Sequence, residues 1–445
     1  MNLLNFYFCY LFSIQILILT VYSFTPVGSE EVTGDPDEKR DIADLITSRG
    51  FDYEVHYVTT QDSYILGVYR IINPFVSENE REKLRPVVIQ HGFLSSGSTF
   101  LINSPDGFAS PCDPADQLLA SNDYNDTHTN NLGFLLANRC YDVWLANSRG
   151  NHYSRNHTTL NPDKDKEFWN FSFDEMIAYD TPNLIDYVLN VTKFESLGWI
   201  GHSQGTLIMF GLLSEKPAYS LKVKPFIALA PVTYVGNILL ALRFAAAIPG
   251  ALWTLRKAGG ELGDSSTIIK TTSQFVCGRW QPKSCDNLVY PLEGYTPSMM
   301  NQSRVNVFKS QQKLTGTSVW NLVHFGQNVN SRSFAKFDFG TIENKIRYNG
   351  PYPPKYKISQ INSTQVAILY GKADRLGDPK DLQKLVKELK VPLFKDYEIP
   401  NPKWDHLDFI YAEDLYKTVH TVVLDVLRES QIELEKQRSG QIAKI

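Results

Sequence analysis

The chain has 445 residues, of which 43% are hydrophobic, and it carries a formal net charge of -4 at neutral pH. A chain of this length can bury one large core that carries an insertion, so two independent domains are not required. Nucleic-acid binding needs clustered Lys and Arg side chains that face phosphates, and the sequence has no long basic run. The composition therefore argues against nucleic acid as a partner and favours a neutral or amphiphilic substrate.

The amino-terminal segment from Leu3 to Phe24 is uncharged and apolar, and it ends in residues suited to a signal-peptidase site. We predict that residues 1–23 are a cleaved signal peptide and that the protein is secreted or lysosomal. The segment lacks a basic residue near its start and is long enough to span a bilayer, so a membrane anchor is the alternative. Six Asn-x-Ser/Thr sequons agree with the secretory route and are candidate glycosylation sites, namely Asn125, Asn156, Asn170, Asn190, Asn301 and Asn362.

Short runs rich in β-branched and aromatic residues alternate with stretches of helical spacing, which predicts a mainly parallel sheet covered by helices. The predicted strands are Val55 to Thr59, Tyr64 to Ile71, Pro86 to Gln90, Tyr141 to Ala146, Leu197 to Gly201, Pro225 to Ala230, Val366 to Tyr370 and Phe394 to Ile399. The predicted intervening helices are Leu132 to Arg139, Thr181 to Val191 and Gln204 to Ser214.

This alternation fades after Pro231 and resumes at Val366. We therefore predict a core built from residues 24–234 and 359–445, the second part ending in a carboxyl-terminal helix, with a cap or lid insertion at residues 235–358. Within the insertion, Ile238 to Leu252 is apolar apart from Arg243 and is suited to a cap helix. That helix would either meet a lipid surface or pack onto the core.

Four cysteines remain after the predicted cleavage, an even number that can pair in an oxidising compartment. The short separation between Cys277 and Cys285 favours a disulfide between them, which leaves Cys112 to pair with Cys140 or to stay free. Four buried thiols are the alternative. Because neither a CxxC pair nor a histidine cluster accompanies these cysteines, we expect no metal site.

A Gly-x-Ser-x-Gly motif places Ser203 between a predicted strand and a predicted helix. This context is typical of the nucleophile turn of the α/β-hydrolase fold, in which Gly201 and Gly205 let a strained turn pack against its neighbours. A serine hydroxyl is a poor nucleophile at neutral pH, so it needs a base within reach and an acid that orients the base.

On this fold the acid and the base follow the serine in chain order. His406 lies in a loop before the final helix, where the base belongs, whereas His420 lies in a helical stretch and fits a buried or surface role. Asp374 follows the strand Val366 to Tyr370 at the carboxyl edge of the sheet, where active sites gather. Asp378 precedes a proline and fits a helix N-cap. The predicted catalytic residues are Ser203, Asp374 and His406.

The strand Pro86 to Gln90 runs into a His-Gly-Phe sequence, from which this fold supplies one oxyanion-hole amide, while the residue after the nucleophile supplies the other. We predict the backbone N–H groups of Phe93 and Gln204 as these donors. The side chain of Phe93 is then free to shape the pocket. His91 precedes the nucleophile in the chain and is predicted to be a structural, hydrogen-bonding residue.

Four segments carry a family resemblance. They are Gln90-His91-Gly92-Phe93-Leu94, Tyr141-Asp142-Val143-Trp144-Leu145-Ala146-Asn147-Ser148-Arg149-Gly150-Asn151, Gly201-His202-Ser203-Gln204-Gly205 and His406-Leu407-Asp408-Phe409-Ile410. Together they resemble the acid lipases, a family that includes gastric lipase and lysosomal acid lipase, and the likeness runs from about Phe51 to Leu427.

The resemblance implies an α/β-hydrolase core with a cap over the site, hydrolysis of triacylglycerols and cholesteryl esters, and no cofactor. It also implies a cap disulfide that maps onto Cys277 and Cys285. The chain departs from the family pattern at Phe93, where the family usually has Leu, and in an extra loop from about Asp106 to Asn130.

Two other functions fit the same scaffold. A soluble carboxylesterase or thioesterase would use this triad on short acyl groups. A non-catalytic lipid-binding protein would typically have lost a triad residue, and all three are present here.

The expected partner is a lipid ester at a lipid-water interface. We expect the protein to contact the lipid surface peripherally and to act as a monomer.

Overall fold

A computed structural model describes residues 34–118, 129–238, 243, 246–263, 296, 298–363 and 365–442. The predicted signal peptide, the sequon at Asn125 and the pair Cys277 and Cys285 lie outside these residues. Among the helices that fall within these ranges, none has the length and apolar character needed to cross a membrane.

The central sheet is mainly parallel, as predicted. The strands are β1 (Asp52–Thr59), β2 (Tyr64–Ile72), β3 (Pro86–Gln90), β4 (Asp142–Ala146), β5 (Asn156–His157), β6 (Leu197–His202), β7 (Val223–Leu229), β8 (Glu261–Leu262), β9 (Thr317–Ser318), β10 (Val366–Tyr370) and β11 (Lys395–Glu398). The main sheet has the order β1-β2-β4-β3-β6-β7-β10-β11, with β5 paired to β2. The neighbours from β4 to β11 are parallel, whereas β1, β2 and β4 pair antiparallel. β8 and β9 form a separate antiparallel pair.

Helices cover both faces of this sheet. The α-helices of the described residues, including those of the predicted insertion, are α1 (Ile42–Ser48), α2 (Glu78–Arg81), α3 (Leu132–Asn138), α4 (Phe173–Glu175), α5 (Thr181–Thr192), α6 (Gln204–Glu215), α7 (Ala251–Ala258), α8 (Val305–Gln311), α9 (Val319–Ser331), α10 (Thr341–Tyr348), α11 (Pro379–Glu388), α12 (Asp408–Tyr411) and α13 (Thr421–Ile442). One π-helical turn, Met176–Asp180, joins α4 to α5, and another, Tyr416–His420, precedes α13.

The central strands are apolar along their length because both of their faces are covered. Every residue of β3, β4 and β6 is buried, and successive side chains of a strand point to opposite faces. Val87 and Ile89 accordingly share a core cluster with residues of α1, α3 and α13. Val88 and Trp199 share the opposite cluster with residues of α5 and α6. The central strands are thus apolar throughout because two separate cores bury their two faces.

One part of the predicted insertion forms a layer over the carboxyl edge of the sheet. Side chains of α7, β8 and α9 share a buried cluster, against which Phe93 and Leu94 of the core pack. The expectation of one helix over Ile238 to Leu252 is wrong, because Gly250 adopts a φ of 81° and α7 begins only at the next residue. A proline and a glycine in sequence explain this break.

Another part of the predicted insertion is fixed to the core. Arg304, just before α8, is buried and pairs with Asp37 at 2.5 Å. The ring of Phe308 lies 4.4 Å from that of Tyr411 in α12. α8 is therefore held by core residues on both sides.

Candidate active site

Ser203 lies in the tight turn between β6 and α6, with φ 53° and ψ -117°. A non-glycine residue at this φ is strained, so the surrounding contacts must hold the turn. A Cβ atom on Gly201 would lie 2.5 Å from the carbonyl oxygen of Gly205, and one on Gly205 would lie 2.5 Å from that of Gln90. Only glycine allows these two close backbone approaches, which explains why the motif has glycine at both positions.

The structure brings the three predicted catalytic side chains together in one chain of hydrogen bonds. Nε2 of His406 lies 2.8 Å from Oγ of Ser203, and Nδ1 of His406 lies 2.9 Å from Oδ2 of Asp374. His406 and Asp374 are each 2% exposed. Nδ1 donates to the carboxylate, so Nε2 is left to accept the serine proton.

The charges of the acid and the base stabilise each other. Burial alone would raise the pKa of Asp374, but His406 and the amides of Leu376 and Gly377 hold it below its usual value. Burial alone would lower the pKa of His406, but the facing carboxylate of Asp374 raises it. The arrangement therefore favours the imidazolium that forms when the base takes the serine proton.

The end of β3 lies directly against the nucleophile. A Cβ atom on Gly92 would lie 3.0 Å from Cβ of Ser203, and Phe93 lines the same cavity as Ser203. Gln204 is the first residue of α6, where backbone amides have no partner within the helix. Both predicted oxyanion donors are thus adjacent to Ser203, and their role in binding an oxyanion stays a prediction.

His91 supports this corner as a structural residue. Its Nε2 accepts from the amide of Ser148 at 3.0 Å and from Nδ2 of Asn151 at 3.2 Å. Its Nδ1 donates to the carbonyl of Gly92 at 2.7 Å. Burial lowers the pKa of His91 to about 4, so the ring is neutral. The Asn-Ser-Arg-Gly-Asn segment therefore holds the end of β3, a role that the sequence did not reveal.

A cavity of about 230 Å³ lies over Ser203 and His406. Apolar side chains form much of its wall on the side of the insertion. They are Ile238, Ala246, Leu322, Phe325 and Val329. The ring of Phe93 meets the ring of Phe325 edge to face at 5.3 Å. The cavity can therefore hold an apolar group next to the nucleophile.

A polar contact also ties the insertion to the nucleophile turn. Oε1 of Gln204 accepts from Nδ2 of Asn321 in α9 at 2.8 Å. Asn321 is fully buried. The pairing joins positions far apart in sequence, so no local pattern could have predicted it.

Two of the remaining predicted residues have structural roles. Asp378 caps α11 by accepting from the amide of Lys380 at 2.8 Å, as expected. His420 is buried in a π-helical turn, where it contacts the main chain of Thr129, and burial lowers its pKa to about 4. His420 therefore lies apart from the triad.

One of the predicted cysteine pairings is present in the structure. Cys112 and Cys140 form a disulfide with an S–S length of 2.01 Å.

The candidate glycosylation sites differ in exposure. Four candidate sequon residues are exposed, namely Asn156, Asn170, Asn190 and Asn362. Asn301 is only 8% exposed, and its Nδ2 donates to the carbonyl of Asn103 at 2.8 Å. Burial and this hydrogen bond disfavour Asn301 as a glycosylation site, because its amide nitrogen already has a partner.

Comparisons with known proteins agree with this architecture. Residues 42–104 match the family model described as a partial alpha/beta-hydrolase lipase region, and residues 85–413 match the model of the alpha/beta hydrolase fold. The chain is 33% identical to gastric triacylglycerol lipase of Bos taurus over 403 residues, which cover 90% of this chain and 94% of the relative.

Two human proteins are similarly related. Lipase member K is 32% identical over 424 residues, covering 93% of this chain and 96% of the relative. Lysosomal acid lipase/cholesteryl ester hydrolase is 33% identical over 408 residues, covering 91% and 94%. The chain belongs to the α/β-hydrolase family and, within it, to the acid lipases.

Proposed function

We propose that this enzyme hydrolyses lipid esters, such as triacylglycerols or cholesteryl esters, through an acyl-enzyme on Ser203. The observation that carries the proposal is the 2.8 Å contact between Oγ of Ser203 and Nε2 of His406 at the wall of an apolar cavity. The names of the relatives, which include triacylglycerol lipases and a cholesteryl ester hydrolase, support the substrate class.

The proposed reaction has two halves. Oγ of Ser203 attacks the ester carbonyl while Nε2 of His406 takes its proton, and the alcohol leaves with that proton as the acyl-enzyme forms. Water then attacks the acyl-enzyme with His406 again as base, and the fatty acid leaves. The amides of Phe93 and Gln204 would bind the oxyanion in both halves, and loss of such a donor costs about 2.7–4 kcal/mol in the transition state.

A serine-directed phosphonate and an ester series test this proposal. Ser203→Ala should lose the label and lower kcat roughly 10⁴-fold or more, because the nucleophile is gone while the fold is kept. Ser95→Ala is a matched control, since Ser95 also lines the cavity, and it should keep both label and activity. Activity of Ser203→Ala at the wild-type level would overturn the proposal.

The same ester series separates the acyl classes. Triacylglycerols and cholesteryl esters should be hydrolysed alongside short-chain esters. Turnover of short-chain esters alone would indicate a carboxylesterase or thioesterase. A protein that binds these esters but is neither labelled nor active would indicate a lipid-binding role.

We also propose peripheral contact with a lipid-water interface through the outer side of the insertion. Trp253 on α7 and Ile342 and Ile346 on α10 are 63%, 81% and 78% exposed and border one groove. The charged side chains of α7, α10 and residues 166–167 are Lys166, Glu167, Arg256, Lys257, Glu343, Lys345 and Arg347, so basic ones outnumber acidic ones. Apolar area gains about 25 cal/mol per Å² on leaving water, and the basic side chains suit a surface that carries fatty-acid carboxylates.

Flotation with phosphatidylcholine vesicles containing oleic acid tests this contact. Trp253→Ser combined with Ile346→Ser should weaken binding severalfold, whereas Tyr57→Ser, which alters a 66% exposed aromatic on β1, should not. All proteins should carry Asn170→Gln, because Asn170 lies in the same groove and a glycan there would mask it. Equal binding by all variants would exclude this face.

The location and the oligomeric state follow from the same proposal. A secreted or lysosomal enzyme should begin after the predicted signal peptide, and it should act as a monomer. Amino-terminal sequencing and light scattering of the secreted protein test both points.

A further inference from the structure

Asp405 connects the two loops that carry the acid and the base. Its Oδ1 accepts from the amide of Arg375, the residue after the acid, at 3.0 Å. The same oxygen accepts from the amide of His406 at 2.8 Å. Its Oδ2 accepts from Nε of Arg375 at 2.5 Å. One carboxylate thus bonds both the residue that follows the acid and the backbone of the base.

The two loops also pack closely through their backbones. The amide of Ala373 donates to the carbonyl of Trp404 at 3.2 Å. A Cβ atom on Gly371 would lie 2.2 Å from the same carbonyl oxygen. Asp405 is 1% exposed, and a carboxylate buried this deeply requires hydrogen-bond donors. These contacts fix the distance between the acid loop and the base loop.

We propose that Asp405 is a positioning residue that aligns Asp374 with His406, and that its charge, balanced by Arg375, sets the pH above which His406 acts as a base. This inference rests on the proposed function, because it concerns the same serine hydrolysis. Asp405 acts through its neighbours and does not reach the reacting ester.

Several groups besides Asp405 face the base. Asp374 bonds its Nδ1, and Asp374, Asp405 and Asp408 all raise the pKa of His406 against the effect of burial. His202 donates from Nε2 to the carbonyl of His406 at 3.2 Å, and burial lowers the pKa of His202 to about 3, so it adds no charge. The guanidinium of Arg375 is the cation paired with Asp405.

The sign of each perturbation follows from these charges. Removing the negative charge of Asp405 lowers the pKa of His406, and removing the positive charge of Arg375 raises it. The acid limb of the kcat/KM profile reports the pKa of the base in the free enzyme. Asp405→Asn and Arg375→Gln should therefore shift this limb in opposite directions.

The experiment is a kcat/KM–pH profile on the soluble ester 4-nitrophenyl butyrate. Asp405→Asn keeps an oxygen that can accept from both amides, so we expect the acid limb to move to lower pH by about half a unit. Arg375→Gln should move the acid limb to higher pH by a similar amount. In the double variant the two shifts should largely cancel, so its acid limb should lie close to that of the wild type. Asp405→Ala loses the shared acceptor and should lower kcat about tenfold with little change in KM.

Arg155→Gln and Asp163→Asn are the matched controls, since they alter a pair at 2.7 Å whose carboxylate partner is 70% exposed. Superimposable profiles for all variants would overturn the proposal. If thermal melting shows that Asp405→Asn does not fold, Arg375→Gln alone decides, because the side chain of Arg375 is 35% exposed. Ser203→Ala distinguishes failure of the proposed function from failure of the role of Asp405. Wild-type activity in Ser203→Ala would overturn the proposed function. If Ser203→Ala is inactive but the pH profiles of the Asp405 and Arg375 variants match the wild type, only the role of Asp405 is overturned.

Discussion

Replacing Arg149 with Met would test whether buried charge holds the loop that supports His91. The guanidinium is fully buried, donates to Asp180 at 2.5 to 3.0 Å, and donates to Asp62 at 2.6 and 2.9 Å. It also lies 4.0 Å from the centre of the Tyr64 ring. Met occupies a similar space without a charge, so the variant leaves the carboxylate of Asp180 buried without this cation.

Removing one partner of a buried ion pair costs about 3–5 kcal/mol of the free energy of unfolding, because the remaining charge is uncompensated. Burial raises the pKa of Asp180 even with Arg149 beside it, so the variant should raise that pKa further. A folded-state pKa above the unfolded value means that stability is lost as the pH rises from the unfolded pKa through the folded one. The deficit of Arg149→Met should therefore be smaller at about pH 5 than at about pH 7.5.

Urea unfolding followed by tryptophan fluorescence measures this deficit. Asp180→Asn added to Arg149→Met should recover part of it, since the amide carries no charge. Arg155→Met removes an arginine that is 25% exposed and pairs with Asp163 and Glu261, so it should cost clearly less than Arg149→Met. A loss of less than about 1 kcal/mol in the free energy of unfolding of Arg149→Met would refute the reasoning. A loss that changes neither with pH nor on addition of Asp180→Asn would also refute it.

Three other substitutions have defined outcomes. Phe93→Leu removes the ring that meets Phe325, so it should raise severalfold the ratio of long-chain to short-chain ester hydrolysis, and an unchanged ratio would show that Phe93 does not limit the acyl site. Cys112→Ser opens the disulfide with Cys140 and should lower the free energy of unfolding by about 2–4 kcal/mol, a difference that added reductant should largely abolish. His420→Gln should keep phosphonate labelling at Ser203, and loss of the label in a folded variant would reopen the assignment of the base.

The core of the fold could be predicted because its strands are buried on both faces. Continuous apolar runs identified β3, β6 and β10 to within one residue. The strands β5, β8 and β9 were missed, since two-residue pairings leave no periodic pattern. The break within Ile238 to Leu252 depends on local backbone geometry at a proline and a glycine, which hydrophobicity alone does not report.

The candidate triad could be predicted because its chain order is set by the strand order. Each triad residue follows a strand or precedes a helix, so the order of strands and helices along the sequence was enough to predict its position. The contacts of Asp405 and Arg149 join loops that are distant in the chain, so the sequence did not predict the partners of either residue. At Asn301 the sequon specified an acceptor, but the local sequence did not indicate that the fold buries this side chain.

The contacts with α9 connect the insertion to the chemistry of the site. Phe93 and Gln204 carry the two predicted oxyanion amides, and their side chains are also the ones that touch Phe325 and Asn321. A displacement of α9 would break an aromatic contact at one of these residues and a buried hydrogen bond at the other. Since backbone amides must be held in place to stabilise an oxyanion, the same helix that covers the cavity also supports both amides. The position of α9 and the placement of the two predicted oxyanion amides are therefore linked by the same two side chains.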